Sequence, residues 1–329
     1  MSALASTLQA FFTERLLRQR QASGHTIAAY RDTLKMLLAF AAKRLHTEPA
    51  KLAIGALDAK LVAAFLEHLE HDRGNGVRTR NARLAAIRSL YRFMALRHPE
   101  HAATIARVLE IPTKRFEKGL VTYLSEAELE ALLAAPDRST VTGRRDYALF
   151  ALAAQTGLRA SELTGLVCAD VHLGHGAHVS CLGKGRRQRT TPLTKEVAAM
   201  LRSYLTERNG AEDQPLFASS SGAALSRDAL ERRLAKYAAG ASTICPSIRN
   251  KKVTLHVFRH TAAMRLLKAG VDTSIIALWL GHERIETTQV YLQADLAIKE
   301  RALARTKPPR AKAGRYRPPD RLLAFLEAL

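Results

Sequence analysis

The sequence has 329 residues, enough for about two domains, and its 47% content of hydrophobic residues excludes a largely disordered chain. Lysine and arginine together number 51 against 30 aspartates and glutamates, and the formal net charge of +21 is typical of proteins that bind polyanions. No apolar run of about 18 residues predicts a transmembrane helix, and the N-terminus lacks the basic start of a signal peptide, so we expect a cytoplasmic protein that does not enter a membrane.

The three cysteines, Cys168, Cys181 and Cys245, lie far apart and form no C-x-x-C pair. Structural zinc sites use closely spaced ligand pairs, and disulfide frameworks use an even number of cysteines. We therefore expect small side chains buried in the interior, with no metal site and no cofactor.

The first 105 residues are predicted to form a compact helical domain. Apolar residues recur at helical spacing in four stretches, and glycines and prolines fall between these stretches. The stretches cover residues 8–17, 27–38, 61–69 and 84–94. The pattern favours a bundle of four or five helices.

Arginines cluster around the last of these stretches. Arg78, Arg80 and Arg83 lie beside Thr79 and Asn81, whose side chains can also hydrogen-bond to phosphates or bases. A solvated helix face is the ordinary explanation for such a charge run. The functional explanation is a helix face that follows a phosphate backbone. On this explanation the three arginines are our candidates for nucleic-acid contacts.

Residues 106–119 contain Pro112 and Gly119 and show no clean period, so they are predicted to link the first domain to a second one, residues 120–305. Ser125 followed by Glu128 is a capping-box pattern that starts a helix, and Pro136 ends it. The second domain is predicted to be mainly helical, with two short strands joined by a glycine-rich turn. The predicted strands lie in HVSCLGKG and GRRQRTTPL, and the later helices lie near 194–209, 226–239, 256–269 and 273–280.

The C-terminal end has a composition of its own. A helical pattern over 295–305 precedes a segment, 307–319, with five basic residues, four prolines and no acidic residue. Such a composition is typical of an extended basic segment. The apolar residues of 320–329 predict a short helix that is marginal alone, so the tail, 306–329, is expected to dock on its own chain or on a second copy.

Four short stretches of the second domain carry side chains that suit one kind of chemistry. They are TGLRASEL with Arg159 and Glu162, GKGRRQR with Lys184, LHVFRH with His256 and Arg259, and LGHERIETTQVY with His282 and Tyr291. Each alone has an ordinary explanation, such as a salt bridge for the first arginine, a solvated turn for the lysine or a core position for the tyrosine.

Together these side chains suit a reaction at a phosphodiester. Two guanidinium groups can clamp its non-bridging oxygens, and two imidazoles add hydrogen-bond donors and proton carriers. A tyrosine hydroxyl can attack phosphorus and form a covalent ester, while a lysine protonates the departing oxygen. The ester conserves the energy of the broken bond, so the reaction requires neither ATP nor a metal. Tyrosine has a reference pKa of about 10, so a base and the arginine field must help it to ionise.

The four stretches resemble the signatures of the tyrosine recombinases, the phage-integrase group. That family has an Arg in a TGLR-x-SEL stretch, a Lys on a β-hairpin, H-x-x-R, L-G-H, and a Tyr nine residues after the last His, as Tyr291 is after His282 here. The resemblance is strong over 120–305 and covers the first domain only by length and helical character. It implies a mainly α fold with a small antiparallel β-sheet, in which a core-DNA-binding domain and a catalytic domain form a C-shaped clamp around double-stranded DNA.

The resemblance implies a site-specific recombinase or integrase, as found in mobile genetic elements and in the resolution of chromosome dimers. Its roles carry over to matching positions: Tyr291 as the nucleophile that forms a 3′-phosphotyrosyl link, Arg159 and Arg259 as ligands of the scissile phosphate, Lys184 as general acid on the leaving 5′ hydroxyl, and His256 and His282 as donors that assist proton transfer. Glu162 matches an acidic position that supports the site, and Arg186 and Arg187 join the candidates for DNA contacts.

The resemblance also implies an assembly of four protomers on two DNA sites. The segment 295–305 matches the helix that each protomer docks on its neighbour, so we expect a homotetramer on DNA. One departure from the family pattern is Gln293, which stands where a His often follows the nucleophile by two residues. We expect this departure to leave catalysis intact.

Two other functions compete with recombination. A type IB topoisomerase shares the tyrosine chemistry, but the LGH stretch and the two threonines before Tyr291 favour a recombinase. A non-catalytic DNA-binding protein is the other alternative, because LLKAGVDTSIIALWLGHE has helix-turn-helix spacing with Gly270 at the turn. A protein that only binds DNA would not need the full set of reactive side chains.

Overall fold

The computed structural model describes residues 2–116, 121–183, 188–282, 286–289 and 291. Helices dominate this part of the chain, and one small antiparallel sheet accompanies them. The predicted fold class is therefore confirmed. The chain divides into two compact units, Met1–Lys118 and Gly119–Leu329, and each has a hydrophobic core of its own.

The first unit is a bundle of helices. Its described elements are α1 (Ala3–Ala10), which continues as a π-helix over Phe11–Gln19, then α2 (Gly24–Leu45), α3 (Ala59–His71), α4 (Val77–Ala95) and α5 (Ala102–Glu110). Ser2, Ser23 and Asp58 begin α1, α2 and α3, because each side chain accepts a hydrogen bond from a backbone N–H of the first turn. The apolar faces meet in a core that contains Phe65 and Tyr91, both fully buried.

Helix α5 reaches into the segment that the sequence predicts to be a linker. The helix ends only at Glu110, whereas the linker is predicted to start at residue 106. Val108 is fully buried in the core of the first unit, and Arg88 donates a hydrogen bond to the carbonyl of Ile111. Packing of this turn therefore extends the helical unit beyond its predicted boundary.

The second unit is also mainly helical. Its described helices are α6 (Glu126–Ala134), α7 (Val141–Thr156), α8 (Ala160–Thr164), α9 (Lys195–Arg208), α10 (Arg227–Ile244), α11 (Leu255–Lys268), α12 (Thr273–Leu280) and α13 (Glu286–Gln289). Helix α6 has the predicted capping box, since the backbone N–H of Ser125 donates to Glu128 and that of Glu128 donates to Ser125. Helix α7 is not predicted from the sequence, because it is buried on nearly every side and has no polar face to create a helical period.

Three strands form the sheet of the second unit, where the sequence predicts two. Strands β1 (Val171–His172), β2 (His178–Leu182) and β3 (Gln188–Pro192) lie in this order and are antiparallel. The additional strand β1 is only two residues long, too short to show an alternating pattern. In the register of β2 and β3, Cys181 faces Arg189. The turn between these strands, 184–187, lies outside the described residues.

The described part of the chain contains neither a membrane-spanning helix nor a cluster of metal-binding side chains. No described helix has the length and apolar character needed to cross a membrane, and the described histidines, cysteines and acidic residues form no group of three that could hold a metal ion. The three cysteines are free thiols; Cys168 and Cys181 are buried, whereas Cys245 is partly exposed.

Candidate active site

Helix α11 brings an arginine and two histidines to one site. Thr254 caps the helix, and His256, Arg259 and His260 follow within its first two turns. Arg259 is only 3% exposed, and it donates from Nη1 to the carbonyl of Gly157 at 2.7 Å and from Nη2 to the carbonyl of Leu280. These two bonds fix the plane of the guanidinium group between the ends of α7 and α12.

Gly157 allows the end of α7 to approach α11 and α12 this closely. Its φ of +62° lies in the left-handed region that favours glycine, and it terminates α7. A Cβ atom at this position would lie 2.6 Å from Leu280 Cδ2 and 3.3 Å from Ala262 Cβ. The glycine in the TGLR stretch is therefore required for the contact that holds Arg259.

Arg159 and Glu162 lie at the start of α8. Arg159 is the N-cap residue, and its backbone N–H donates to Glu162 Oε2 at 2.8 Å. Its Nη1 donates to Glu162 Oε1 at 2.7 Å, and its Nη2 donates to the carbonyl of Gly281 at 3.0 Å. One third of the Arg159 side chain is exposed, so this guanidinium forms the solvent-facing side of the site.

Glu162 is a buried carboxylate that binds two arginines. Besides Arg159, it accepts a hydrogen bond from Arg189 Nη2 at 2.8 Å. Burial alone would raise the pKa of Glu162, but the hydrogen bond from the Arg159 backbone and the charges of Arg189 and Arg159 outweigh it and lower the pKa. Glu162 is therefore ionised at neutral pH and holds both guanidinium groups in place.

Positive charge exceeds negative charge around Arg259. Burial, followed by the nearby charge of Arg159, lowers the pKa of Arg259 to about 10. Glu162 acts in the opposite direction but does not cancel these effects. An anion that entered between the two arginines would relieve their repulsion, so the geometry suits an oxyanion such as a phosphodiester.

Tyr291 lies against this positive site and is 2% exposed. Its ring packs in a small apolar cluster with Met264 and Leu280. Burial raises the pKa of the Tyr291 hydroxyl, while Arg259 and Arg159 act to lower it. The phenol is therefore protonated in this conformation, and the two arginines provide the charge that would stabilise a phenolate.

Two histidines contact the tyrosine, and a third packs against one of them. His260 Nδ1 lies 3.0 Å from the Tyr291 hydroxyl, and the His256 and His260 rings are 4.2 Å apart. His282 stacks on Tyr291 with ring centroids 6.4 Å apart, and its Nδ1 lies 2.7 Å from Thr288 Oγ1. Burial, then neighbouring positive groups, lowers the pKa of His260 and of His282 to about 4, and the pKa of His256 is also lowered. These rings are neutral at pH 7.

The structure brings together six residues that the sequence places in the site. These are Arg159, Glu162, His256, Arg259, His282 and Tyr291. Lys184, Arg186 and Arg187 lie outside the described residues, as do the segment 295–305 and the tail 306–329.

The other three predicted contact residues lie in the first unit and differ in their surroundings. Arg78 is exposed and stacks on Phe116, and Arg83 is partly exposed and donates to the carbonyl of Ala29. Arg80 is 6% exposed and donates to the carbonyl of Pro112 at 2.9 Å. Its guanidinium therefore braces the end of the bundle rather than facing solvent.

Two residues of the site are not predicted from the sequence. His260 follows Arg259 directly and lies four residues after His256, a spacing that places both histidines on one face of α11. Arg189 lies in β3, where one residue in two points to the interior, but the short basic run around it hides that alternation.

Two family models match this chain, and proteins of known sequence are similar to nearly all of it. The model of the phage integrase family matches residues 122–297, and the model of the phage integrase N-terminal SAM-like domain matches residues 10–98. The integrase/recombinase y4rC of Sinorhizobium fredii is 52% identical over 328 residues, which cover 100% of this chain and 99% of the relative. The tyrosine recombinase XerC of Neisseria meningitidis serogroup B is 33% identical over 299 residues, or 90% of this chain and 93% of the relative.

Solved structures share the fold at lower sequence identity. A post-cleavage complex of the XerH site-specific recombinase with palindromic difH substrate has a TM-score of 0.70 at 22% identity, covering 87% of this chain and 81% of that chain. The Tn1549 transposon integrase in complex with transposon right end DNA has a TM-score of 0.68 at 17% identity, covering 90% and 99%.

Proposed function

Because the chain belongs to the phage integrase family, we propose a task in that family's reaction for each residue of the candidate active site. The protein is a tyrosine recombinase, an enzyme that cuts and rejoins duplex DNA by transesterification through a 3′-phosphotyrosyl intermediate. The main prediction from the sequence is confirmed, and neither the topoisomerase nor the non-catalytic alternative is supported.

One observation supports the assignment of tasks above the others. Arg159 and Arg259 lie close enough to Tyr291 for their charges to lower the pKa of its phenol, and one turn holds both, since Arg259 donates to the carbonyl of Leu280 and Arg159 to that of Gly281. A scissile phosphate bound to the two guanidinium groups would supply the negative charge that the site lacks. The same groups would stabilise the additional charge that develops on the phosphoryl oxygens during attack.

In each step of the reaction, one bond to phosphorus forms and another breaks. The Tyr291 oxygen forms a bond to phosphorus, the bond from phosphorus to the 5′ oxygen breaks, and that oxygen takes a proton from Lys184. The proton of the phenol passes to a neighbouring base, for which His256 and His282 are the residues that the family pattern indicates and His260 is within hydrogen-bond distance. Rejoining reverses these steps when a 5′ hydroxyl attacks the phosphotyrosine.

Burial of Tyr291 links cleavage to assembly. A hydroxyl on a ring that is 2% exposed cannot reach a phosphate on DNA, so Tyr291 must be released before it reacts. The segment 295–305 follows the nucleophile by four residues. In our proposal, docking of this segment on a neighbouring protomer releases Tyr291, so that only a tetramer on two DNA sites cuts.

A pair of truncations tests the assembly step. Deleting residues 295–329 should abolish the tetramer on DNA and retain binding of a single site, whereas deleting only 306–329 is the matched control for loss of the basic tail. Size measurement of the protein–DNA complexes distinguishes the species. A tetramer formed by the longer deletion would refute the assigned role of 295–305.

Double-stranded DNA is the partner that the net charge of +21 favours. We assign phosphate contacts to Arg78 and Arg83, which reach the surface of the first unit, and to Arg186 and Arg187. Charge neutralisation of several phosphates makes binding fall steeply with salt. The cytoplasm is the compartment we propose, because the enzyme must meet DNA there.

Covalent capture tests the proposed function. The protein and a Tyr291→Phe variant are incubated in chelator with the DNA that flanks the gene, the mixture is denatured, and DNA ends that stay attached to protein are sequenced. Adducts at one discrete site with the unsubstituted chain alone would support the proposal. Adducts scattered without sequence preference would favour a topoisomerase, and adducts that persist in the phenylalanine variant would refute the role of Tyr291.

A further inference from the structure

Arg189 is a buried arginine with unused hydrogen-bonding capacity. Its side chain is 10% exposed, and its Nη2 donates to Glu162 Oε2 at 2.8 Å. Its Nε and Nη1 have no hydrogen-bond partner among the described residues. Buried donors are nearly always paired, because an unpaired one loses its bonds to water without replacement.

Arg189 contacts both groups that hold Arg159. Arg159 is bound by Glu162 Oε1 and by the carbonyl of Gly281. Arg189 binds the other oxygen of the same carboxylate, and its Nη1 lies so close to Gly281 that a Cβ there would approach it to 2.7 Å. The φ of Gly281 is +63°, so glycine permits both the turn and this contact. Arg189 therefore supports the position of Arg159 from two sides.

Arg189 also raises the net positive charge of the site. Arg159, Arg189 and Arg259 carry three positive charges, and Glu162 carries one negative charge. The net charge of these four groups is thus two positive units. A bound phosphodiester carries one negative unit, whereas the pentacoordinate state formed when a phenolate attacks it carries two. These four groups match the charge of the transition state rather than that of the bound DNA.

We propose that Arg189 is a positioning residue of the recombinase reaction, which holds Arg159 through Glu162 and Gly281 and supplies the positive charge that distinguishes the transition state from bound DNA. The proposal rests on the proposed function, since it concerns the same phosphate. It assigns a part in cleavage to Arg189, the last residue of the GKGRRQR stretch, for which the sequence alone indicated no role. Loss of this charge should slow the chemical step and leave DNA affinity nearly unchanged, because ground-state binding needs only one net positive unit here.

The test compares two scissile groups in full-length protein. The DNA is the site recovered by covalent capture, made either with its normal phosphodiester or with a methylphosphonate at the scissile position. The methyl group removes one negative charge from both the bound state and the transition state. Single-turnover strand cleavage and DNA affinity are measured for the unsubstituted chain, Arg189→Met, Arg189→Lys and a control variant, Arg145→Met.

Arg145 is a matched control because it is an equally buried arginine in the same unit. Its side chain is 8% exposed and pairs with Asp146 at 2.7 Å, and none of its described hydrogen bonds reaches the active site. Its replacement leaves the buried carboxylate of Asp146 with one arginine partner, Arg233, just as replacement of Arg189 leaves Glu162 with Arg159. Any general loss of stability should therefore affect both scissile groups equally in Arg145→Met.

The proposal predicts a selective loss. Arg189→Met should cleave the phosphodiester about 10-fold to 100-fold more slowly and the methylphosphonate less than about 3-fold more slowly, because only the first transition state needs the second positive charge. Arg189→Lys, which keeps the charge, should be faster than Arg189→Met on the phosphodiester. Equal losses on both groups, or no advantage of lysine over methionine, would overturn the proposal. Absence of cleavage by the unsubstituted chain would overturn the proposed function itself and this proposal with it.

Discussion

Replacement of Gly157 by alanine should lower the free energy of unfolding by more than the same replacement at a glycine with open space around it. The residue ends α7 with a φ of +62°, and its carbonyl accepts the hydrogen bond from Arg259 at 2.7 Å. An added Cβ would lie 2.6 Å from Leu280 Cδ2, and Leu280 is fully buried, so it has no free space to enter. Ala262 closes the other side, with its Cβ at 3.3 Å.

Two effects add to give the magnitude. The left-handed backbone costs an alanine about 1 to 2 kcal/mol, and overpacking of a filled core costs about 1 to 3 kcal/mol more. Gly176 provides the matched control, because its φ is +71° and a Cβ there would meet no atom within 4 Å. Gly176→Ala should therefore show only the backbone effect, and Gly157→Ala should lose about 2 to 5 kcal/mol in total.

Thermal and urea unfolding of both variants measure this difference. Each kcal/mol should lower Tm by about 2 to 4 °C for a unit of this size. Gly157→Ala should also cleave DNA more slowly, because displacement of the Gly157 carbonyl shifts Arg259. Free energies of unfolding that agree for the two variants would show that the close approach of α7 to α12 is not as described, and the reasoning would fail.

Three further predictions concern charge. The pKa of His260 and of His282 is about 4 in the folded protein and 6.5 ordinarily, so the unfolded chain binds more protons between these two values. The free energy of unfolding should therefore fall as the pH drops from about 6.5 to 4. A variant with asparagine at both positions should show a smaller fall, and an equal fall would contradict the lowered pKa values. Arg78→Ala should reduce the slope of log DNA affinity against log salt concentration by about 1. Arg80→Ala should leave this slope unchanged and lower the urea concentration at the midpoint of unfolding. Anisotropy titrations at several salt concentrations measure the slopes, and a reduced slope for Arg80→Ala with an unchanged one for Arg78→Ala would contradict the assignment. Lys184→Ala should slow single-turnover cleavage by about 100-fold or more, and normal cleavage by this variant would remove its role as general acid.

Local spacing in the sequence accounts for much of the site. Arg159 and Glu162 are three residues apart, the distance at which an N-cap residue and a helical glutamate bind each other. His256 and Arg259 share a helix face at the same separation. Such pairs depend on a single turn of helix, so a motif predicts their geometry without knowledge of the fold.

Contacts between distant segments could not be predicted in this way. Arg189 meets Glu162 only because β3 packs against the start of α8, and Arg80 is buried only because the chain beyond α5 returns to α4. Burial of Tyr291 likewise depends on how α11 and α12 pack around it. The sequence supplies the residue types at these positions, but tertiary packing decides which guanidinium faces solvent and which supports another side chain.

Mapping the covalent adduct identifies the residue that attacks the DNA. The adduct formed on the captured DNA site is digested with nuclease and trypsin and analysed by mass spectrometry. We expect a nucleotide on Tyr291, within the tryptic peptide 285–299, in which it is the only tyrosine. A nucleotide on any other side chain, Thr287 or Thr288 of the same peptide included, would show that Tyr291 is not the nucleophile.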